Sequence, residues 1–302
     1  MARHRVLVLP TLLASAAVSA CDSGDSAERM ADMVDGLPGG SASVLVLDVA
    51  ALAEHYELDR DTLGRYPEFI ADVTFHQDEV DPPALLAAEL AAVIAPFNTP
   101  VGNAHLDAID IGQVEIVVSL PIEGLTVIAT GQDPDALGAA YAEAGFDDEG
   151  DGSYLNVGGG QSSDIDARYP AVKVDDGLLV LARSPEIRDA YGEGEGLSAP
   201  AQTLIDAADD AWAVSVFGEA GMDPATCGAG QAFARGDDGI ELLVLGGGED
   251  VVPPDAWDFY AARLGSPEID GDVTRYAVEP DDGRVNVSML GSSLEVSRLA
   301  EC

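Results

Sequence analysis

The sequence predicts an α+β fold, a duplicated module of antiparallel β-hairpins with helices packed on one face. Asp-Asp-Gly occurs three times between alternating apolar runs, at 175–177, 237–239 and 281–283. Two helix-like stretches, 133–146 and 253–266, correspond along the chain. Hydrophobic residues make up 47% of the chain, which supplies material for a core and argues against disorder.

The first 20 residues predict an export signal. Arg3 and Arg5 precede an apolar run that reaches Ala20 and is broken only by Pro10 and a few hydroxyl residues. The run is too short to span a bilayer, which needs about 20 apolar residues. A positive start, a short apolar middle and a small-residue end are the parts of a secretory signal peptide. Residues 1–20 are therefore expected to be removed.

The residues that end this signal carry a more specific motif. Val18, Ser19, Ala20 and Cys21 resemble the lipobox of bacterial lipoproteins, and the chain broadly resembles uncharacterised actinobacterial envelope lipoproteins. The resemblance implies acylation of Cys21 by palmitate or related chains, cleavage before it, and a location on the outer face of the cell membrane. Two or more acyl chains anchor a protein stably. Ordinary secretion with Cys21 unmodified is the alternative.

The charge of the chain argues against two classes of partner. There are 14 Lys and Arg against 55 Asp and Glu, a formal net charge of −41, and removal of residues 1–20 with their two Arg takes this to −43. Nucleic acids and anionic lipid surfaces are bound by clustered Lys and Arg. Neither is an expected partner, so attachment to a membrane must come from acyl chains. A solvated acidic surface explains most of the acids.

Cysteine usage agrees with export. If Cys21 is acylated, Cys227 and Cys302 remain as a pair in an oxidising compartment. A bond between them closes a loop of about 75 residues, which is worth up to about 4 kcal/mol in the chain-entropy treatment. We predict this disulfide, and two free thiols are the alternative.

Composition and repetition divide the mature chain into a tether and two modules. Residues 21–42 are rich in Asp, Ser and Gly, which predicts a lipidated N-terminus and a flexible tether with one helical turn around Met30–Val34. The modules are expected at 43–198 and 199–302, each running strand, hairpin, helix, hairpin, helix. The first module carries a helical insertion at about 50–113.

Turn and helix signals justify the elements of each module. Because Asp and Gly tolerate the positive φ of a type I′ turn, each Asp-Asp-Gly predicts a hairpin. Helices 133–146 and 253–266 each begin after Pro, end at Gly and carry an apolar i, i+3, i+4, i+7 stripe. The stripe places Tyr141 and Tyr260 in a core.

The insertion at 50–113 is where the two modules differ most, and it is the predicted place of function. Its stretch 82–96 is a helix with Pro at both ends and one polar residue inside. Such a helix is usually buried, and a groove for a lipid or another apolar ligand beneath it is the alternative. The expected lining of that groove is Leu85, Leu86, Leu90 and Val93.

Metal chemistry is only weakly indicated by the histidines. Each mature histidine has an acid two residues later, in the pairs His55 with Glu57, His76 with Asp78, and His105 with Asp107. None of the pairs belongs to a defined ligand spacing such as H-E-x-x-H. We therefore predict no metal.

Three other stretches resemble ligand loops. Residues 147–158 superficially resemble a calcium loop, but Gly158 stands where a bidentate Glu is needed, so a polar loop is predicted. The Gly-rich stretches 158–163 and 245–250 lack the Lys of a P-loop. Neither a cofactor nor a catalytic residue is predicted, since the sequence contains no nucleophile motif.

The sequence thus predicts a lipid-anchored extracytoplasmic protein of the cell envelope that binds or interacts without catalysis. A carrier of an apolar or lipid ligand under the 50–113 insertion is the second hypothesis. A hydrolase that uses carboxylates of the insertion is the third. The partner is an envelope protein or an apolar ligand, and the sequence does not decide between them.

Overall fold

The structure is a computed structural model, which describes residues 23–41, 43–57, 59, 104–157, 168–218, 230–245 and 262–280. The described helices are α1 (Ser23–Asp35), α2 (Val49–His55), α3 (Ala104–Ala108), α4 (Pro134–Glu143), α5 (Pro185–Ala190) and α6 (Ala199–Ala207). The described strands are β1 (Ser43–Asp48), β2 (Val114–Leu120), β3 (Leu125–Thr130), β4 (Asp147–Gly150), β5 (Ser153–Leu155), β6 (Ala171–Asp175), β7 (Leu178–Ala182), β8 (Ala213–Gly218), β9 (Gly230–Gly236), β10 (Gly239–Leu245), β11 (Ala262–Leu264), β12 (Glu268–Asp270) and β13 (Val273–Pro280).

All these strands belong to a single antiparallel sheet. Its order is β11-β13-β10-β9-β8-β1-β2-β3-β7-β6-β5-β4, and β12 pairs with the same strand, β13, as β11 does. Five of the twelve pairings are tight hairpins, β2–β3, β4–β5, β6–β7, β9–β10 and β12–β13. The pair in the middle of the sheet is β1 and β8, the predicted first strands of the two modules. The predicted α+β class with hairpin-rich antiparallel pairing is confirmed.

Helices cover both faces of the sheet, whereas the sequence predicted one face. We call the face that carries α2, α3 and α4 the front face, and the face that carries α1, α5 and α6 the back face. Successive side chains of β1 point to opposite faces of the sheet, so Leu45 and Leu47 belong to the front core while Val44 and Val46 belong to the back core. The central strands therefore have apolar residues on both sides.

Helix α4 forms where the sequence predicted it, within 133–146. Asp133 caps its N-terminus by accepting bonds from the N–H groups of Asp135 and Ala136. Phe146 N–H donates to the Tyr141 carbonyl at the other end, in a Schellman closure. Tyr141 is fully buried in the front core, as expected.

Two of the three Asp-Asp-Gly hairpins lie in the described part of the chain, and both are present. In β6–β7 the turn residues are Asp176 and Gly177, since Asp175 pairs with Leu178. Only Gly177 has a positive φ, of 71°, so this is not the predicted type I′ turn, which needs positive φ at both positions. In β9–β10 the turn moves back by one residue to Asp237 and Asp238. The third copy, at 281–283, lies outside the described residues.

The stretch that resembles a calcium loop is also a hairpin, β4–β5, rather than the predicted polar loop. Gly150 pairs with Ser153, and the two residues between them, Asp151 and Gly152, have φ of 52° and 73°. Positive φ at both positions is the pattern of a type I′ turn.

The N-terminal segment corrects the prediction of a flexible tether over 21–42. Helix α1 occupies most of it, and the side chains of Met33, Val34 and Leu37 are at most 2% exposed against the back core. Arg29 pairs with Glu115 on β2 and donates to the carbonyl of Gly177 at 2.9 Å. The described part of this segment is therefore folded onto the sheet.

The second half departs from the predicted repeat at one described place. Residues 262–264, which were predicted to end a helix over 253–266, form strand β11 against β13. Residues 253–261, with Tyr260, lie outside the described residues. The module bounds at 43–198 and 199–302 therefore stay a prediction. No helix among the described residues is long and apolar enough to cross a membrane.

Candidate functional site

A cleft of about 1080 Å³ opens at one end of the central strands. It lies where β1 ends, β8 begins and the β9–β10 hairpin turns. Helix α2 borders it from the front face, and α1 and α6 border it from the back face. The sequence analysis did not single out this place.

The cleft is acidic. Eight carboxylates line it against one guanidinium, that of Arg275, and one imidazole, that of His55. Because the acids come from six parts of the chain, they surround the opening rather than converge on one point. They are Asp48, Glu54, Asp206, Asp209, Asp210, Asp237, Asp238 and Glu241.

Each basic group in the lining is bound to an acid. The Arg275 guanidinium donates to Glu241 at 2.9 Å and also to the carbonyl of Ala207. His55 Nδ1 lies 2.8 Å from the carboxylate of Asp237, whose side chain is 81% exposed. These contacts tie α2, α6 and β13 to the hairpin strands, so the walls of the cleft are braced against each other.

An aromatic cluster forms one wall. Trp212 is 4% exposed, and the rings of His55 and Tyr56 lie 6.1 and 6.0 Å from its ring. Arg235 covers Trp212 with its Cζ 5.4 Å from the ring centroid, a cation–π distance. The backbone fixes Trp212 as well, since its N–H donates to Arg235 and its carbonyl accepts from Asp48.

The lining is amphipathic rather than purely charged. Between the carboxylates it carries apolar side chains of α1 and α6, including Met30, Val34 and Ile205. Asp48, which closes β1, also caps α2 by accepting from the N–H of Ala51 at 2.8 Å. The cleft can therefore hold a ligand that presents both positive charge and apolar surface.

The predicted histidine–acid pairs are not brought together in the described residues. His55 pairs with Asp237 instead of Glu57. His105 is fully buried while Asp107 is exposed. His76 and Asp78 lie outside the described residues. Across the described residues, no group of three or more His, Cys, Asp or Glu side chains is placed to hold a metal ion.

His105 belongs to an interior cluster of aromatic residues under α4. Its Nδ1 lies 3.1 Å from the hydroxyl of Tyr141, and the rings of Phe146 and Tyr169 lie 5.8 and 6.4 Å away. Burial raises the pKa of Tyr169 above its ordinary value, so its hydroxyl stays protonated well into the alkaline range. This arrangement packs the front core and presents no open reaction site.

The remaining predicted site residues lie outside the described residues. These are Cys21, Cys227 and Cys302, together with the proposed groove lining Leu85, Leu86, Leu90 and Val93. His55 had been named as a weak metal candidate and 237–239 as a turn, but the cleft itself was missed because its residues come from distant parts of the sequence. The doubled acids at 209–210 and 237–238 were the available signal, and they were interpreted as turns and solvated surface.

Comparison with known proteins yields no family. No family model matches the chain, and no curated protein matches it. One solved structure, described as "Structure of crystal form I of TP0453", is similar over 89% of this chain and 98% of that chain. The two share 9% sequence identity at a TM-score of 0.43, a level from which we transfer no property.

Proposed function

We propose that this chain is a lipid-anchored, non-enzymatic binding protein of the cell envelope, and that the acidic cleft binds a cationic, partly apolar segment of a partner. The observation that carries the proposal is the cleft itself, in which eight carboxylates and several apolar side chains surround one opening. The anchor rests on the resemblance of Val18–Cys21 to a lipobox.

The negative charge of the cleft favours cationic ligands. Fields from like charges add in a concave site with low-dielectric walls, and they raise both the local concentration and the association rate of an oppositely charged ligand. The cleft carries eight acids against Arg275, and Arg275 is already paired with Glu241. A ligand with Lys or Arg side chains therefore finds unneutralised carboxylates on several sides of the opening.

Apolar contact distinguishes this site from the rest of the acidic surface. Desolvated contacts near aromatic residues supply most of the free energy of binding, while exposed rim charges mainly set the association rate. Met30 and Ile205, which are half-buried, line the same cleft from the back face, while Trp212 lines it from the front face. A peptide segment that alternates cationic and apolar residues fits this lining better than a bare polyvalent cation.

The anchor would hold the cleft close to the membrane. Helix α1 begins at Ser23, two residues after Cys21, and two extended residues span at most about 7 Å. Since Met30 and Val34 of α1 also line the cleft, an acyl group on Cys21 would place the opening near the outer surface of the bilayer. A partner in or beside the membrane is therefore within reach.

A fluorescein-labelled eight-residue peptide of alternating Lys and Leu tests the cleft. Fluorescence anisotropy measures its binding to the mature chain and to the variant Glu54→Gln with Asp209→Asn and Asp238→Asn. These three side chains are exposed, so the variant should keep its circular dichroism spectrum. We expect its affinity for the peptide to fall at least about tenfold, as several attractive charges are lost.

A matched control removes the same charge elsewhere, through Glu268→Gln with Asp270→Asn and Asp272→Asn. These residues are exposed at β12 and do not line the cleft. The control should keep affinity within about twofold of the wild type, since screened charges outside a site contribute little. Equal losses in both variants would show that the peptide binds the overall negative charge, and would overturn the proposal.

A further inference from the structure

His55 is the only histidine that lines the acidic cleft within the described part of the chain. It ends helix α2, and its Nδ1 lies 2.8 Å from the carboxylate of Asp237 in the β9–β10 turn. Its ring packs edge-on against Tyr56, with 4.6 Å between centroids, and lies 6.1 Å from the ring of Trp212. His55 is thus held between the front helix and the hairpin, at one wall of the opening.

The contact with Asp237 determines which nitrogen of His55 can take up a further proton. An ionised carboxylate only accepts hydrogen bonds, so Nδ1 of the neutral imidazole carries the hydrogen that points to Asp237. Nε2 then has the lone pair and takes the second proton. The side chains of His55 and Asp237 are 33% and 81% exposed, so exchange of this proton with solvent requires no opening of the fold.

The elements that border His55 carry mostly acidic groups. On α2 and its two ends these titratable or charged residues are Asp48, Glu54, Tyr56 and Glu57; before β8 they are Asp209 and Asp210; on β9 and its turn they are Arg235, Asp237 and Asp238. Arg235 is the only base among them, and its guanidinium lies over the ring of Trp212. This wall is therefore negative while the imidazole is neutral.

We infer that His55 makes the binding of cationic segments to the cleft dependent on pH, with release in acid. The inference rests on the proposed function, since it concerns the same cleft and the same class of ligand. Histidine is the side chain whose charge ordinarily changes between about pH 5 and 8. A neutral His55 leaves the carboxylates of the wall available to Lys or Arg side chains, whereas a protonated His55 repels them.

Two consequences of protonation weaken cation binding together. The cations of the lining rise from one, Arg275, to two against the same eight carboxylates. The bond from His55 to Asp237 also becomes an ion pair, which neutralises a carboxylate that the ligand would otherwise meet. Because both groups are exposed, water screens their charges, and the expected change in affinity is modest.

Ligand binding and protonation of His55 must oppose each other to the same degree. A ligand that binds the neutral form of a site more tightly lowers the affinity of that site for a proton by the same factor. A cationic segment that enters the cleft should therefore displace protons from those molecules in which His55 is charged. This release of protons can be measured on the unaltered protein.

Titration calorimetry with an eight-residue peptide of alternating Lys and Leu, acetylated and amidated at its ends, tests the inference. We expect the wild type to bind the peptide at least about fivefold more weakly at about pH 5.5 than at about pH 7.5. The ratio of the two affinities should be near one in His55→Gln, which stays neutral, and in His55→Lys, which stays charged. Affinity of the Lys variant should be the lower of the two at both pH values. Glu268→Gln with Asp270→Asn and Asp272→Asn, outside the cleft, should keep the wild-type ratio.

Proton release provides a second readout. Titrations at about pH 6.5, in buffers with different enthalpies of ionisation, should show that the wild type releases protons when it binds the peptide and that His55→Gln releases fewer. Equal affinity of the wild type at the two pH values, an equal fall in His55→Gln, or uptake of protons would overturn the inference alone. A wild type that does not bind the peptide at about pH 7.5 would overturn the proposed function, and this inference with it.

Discussion

The carboxylate of Asp32 on α1 acts on the phenol of Tyr191, which follows α5, and together with burial it raises the pKa of Tyr191 to about 12. Burial is the larger cause. The ring of Tyr191 also packs against Gly36, just beyond α1. The contact thus links the N-terminal helix to the end of the first half of the sheet.

Alkaline pH should weaken this link. An unfolded tyrosine has a pKa of about 10, so the contribution of Tyr191 to stability is fully present below about pH 10 and is lost as the pH rises through about 12. Urea unfolding between pH 8 and 11.5 should show a falling free energy of unfolding. The free energy of unfolding of Tyr191→Phe should fall less steeply with pH, because this variant lacks the Tyr191 hydroxyl. The other tyrosines whose pKa is raised are common to both proteins. Identical slopes would contradict the assignment.

Docking of α1 should contribute measurably to stability. Met33 is 2% exposed in the back core, and truncating a buried Met to Ala costs about 2–5 kcal/mol. Met33→Ala should lower the free energy of unfolding by about that amount in urea titrations. Glu28→Ala, at an exposed position of the same helix, should change it by less than about 0.5 kcal/mol. Equal small effects would restore the prediction of a loose tether.

The hairpin β4–β5 offers a matched pair of glycines. Both have positive φ, 89° at Gly150 and 73° at Gly152, but a Cβ at Gly152 would lie 2.2 Å from the carbonyl oxygen of Val174, while one at Gly150 meets nothing within 4 Å. Gly150→Ala should cost about 1–2 kcal/mol for backbone strain alone. Gly152→Ala should cost about 1–3 kcal/mol more, since backbone must move. Equal losses of unfolding free energy in the two variants, measured by thermal unfolding, would contradict the close approach of Gly152 to Val174 on β6.

Local chemistry made part of the fold predictable. The cap at Asp133 and the closing Gly145 lie within a dozen residues of each other, so helix α4 followed from neighbouring positions alone. The β6–β7 turn was predictable for the same reason, although its φ values were not. Helix α1 was missed because Asp, Ser and Gly dominate its composition, while only Met33, Val34 and the following Leu37 carry the buried face.

The acidic cleft could not be predicted because it depends on which strands pair in the sheet and on contacts between distant parts of the chain. The acidic cleft joins Asp48 to Arg275, which are more than 200 residues apart in sequence. The sequence argument that function lies where the two halves differ pointed to the insertion at about 50–113, and of its described residues Ala51, Glu54 and His55 line the cleft.

A disulfide between Cys227 and Cys302 stays a prediction, because both residues lie outside the described part of the chain. Thiol titration of the mature protein, denatured without reductant, should find no free cysteine. Cys302→Ser should then lower stability by up to about 4 kcal/mol, since the loop of about 75 residues is no longer closed. Two titratable thiols in the wild type would show that the bond does not form.

Lipid anchoring at Cys21 makes the last prediction. If residues 1–20 are removed as predicted, the remaining chain has a formal net charge of −43 and is repelled by anionic lipid, so acyl chains are its expected means of attachment. Cys21→Ser should move the protein from the membrane fraction to the medium or to an unprocessed precursor, while Cys227→Ser should leave it on the membrane. Immunoblots of separated fractions, with mass spectrometry of the N-terminal peptide, distinguish these outcomes. A processed Cys21→Ser protein that stays membrane-bound would contradict acylation as the anchor, and a wild type found only in the medium would favour ordinary secretion.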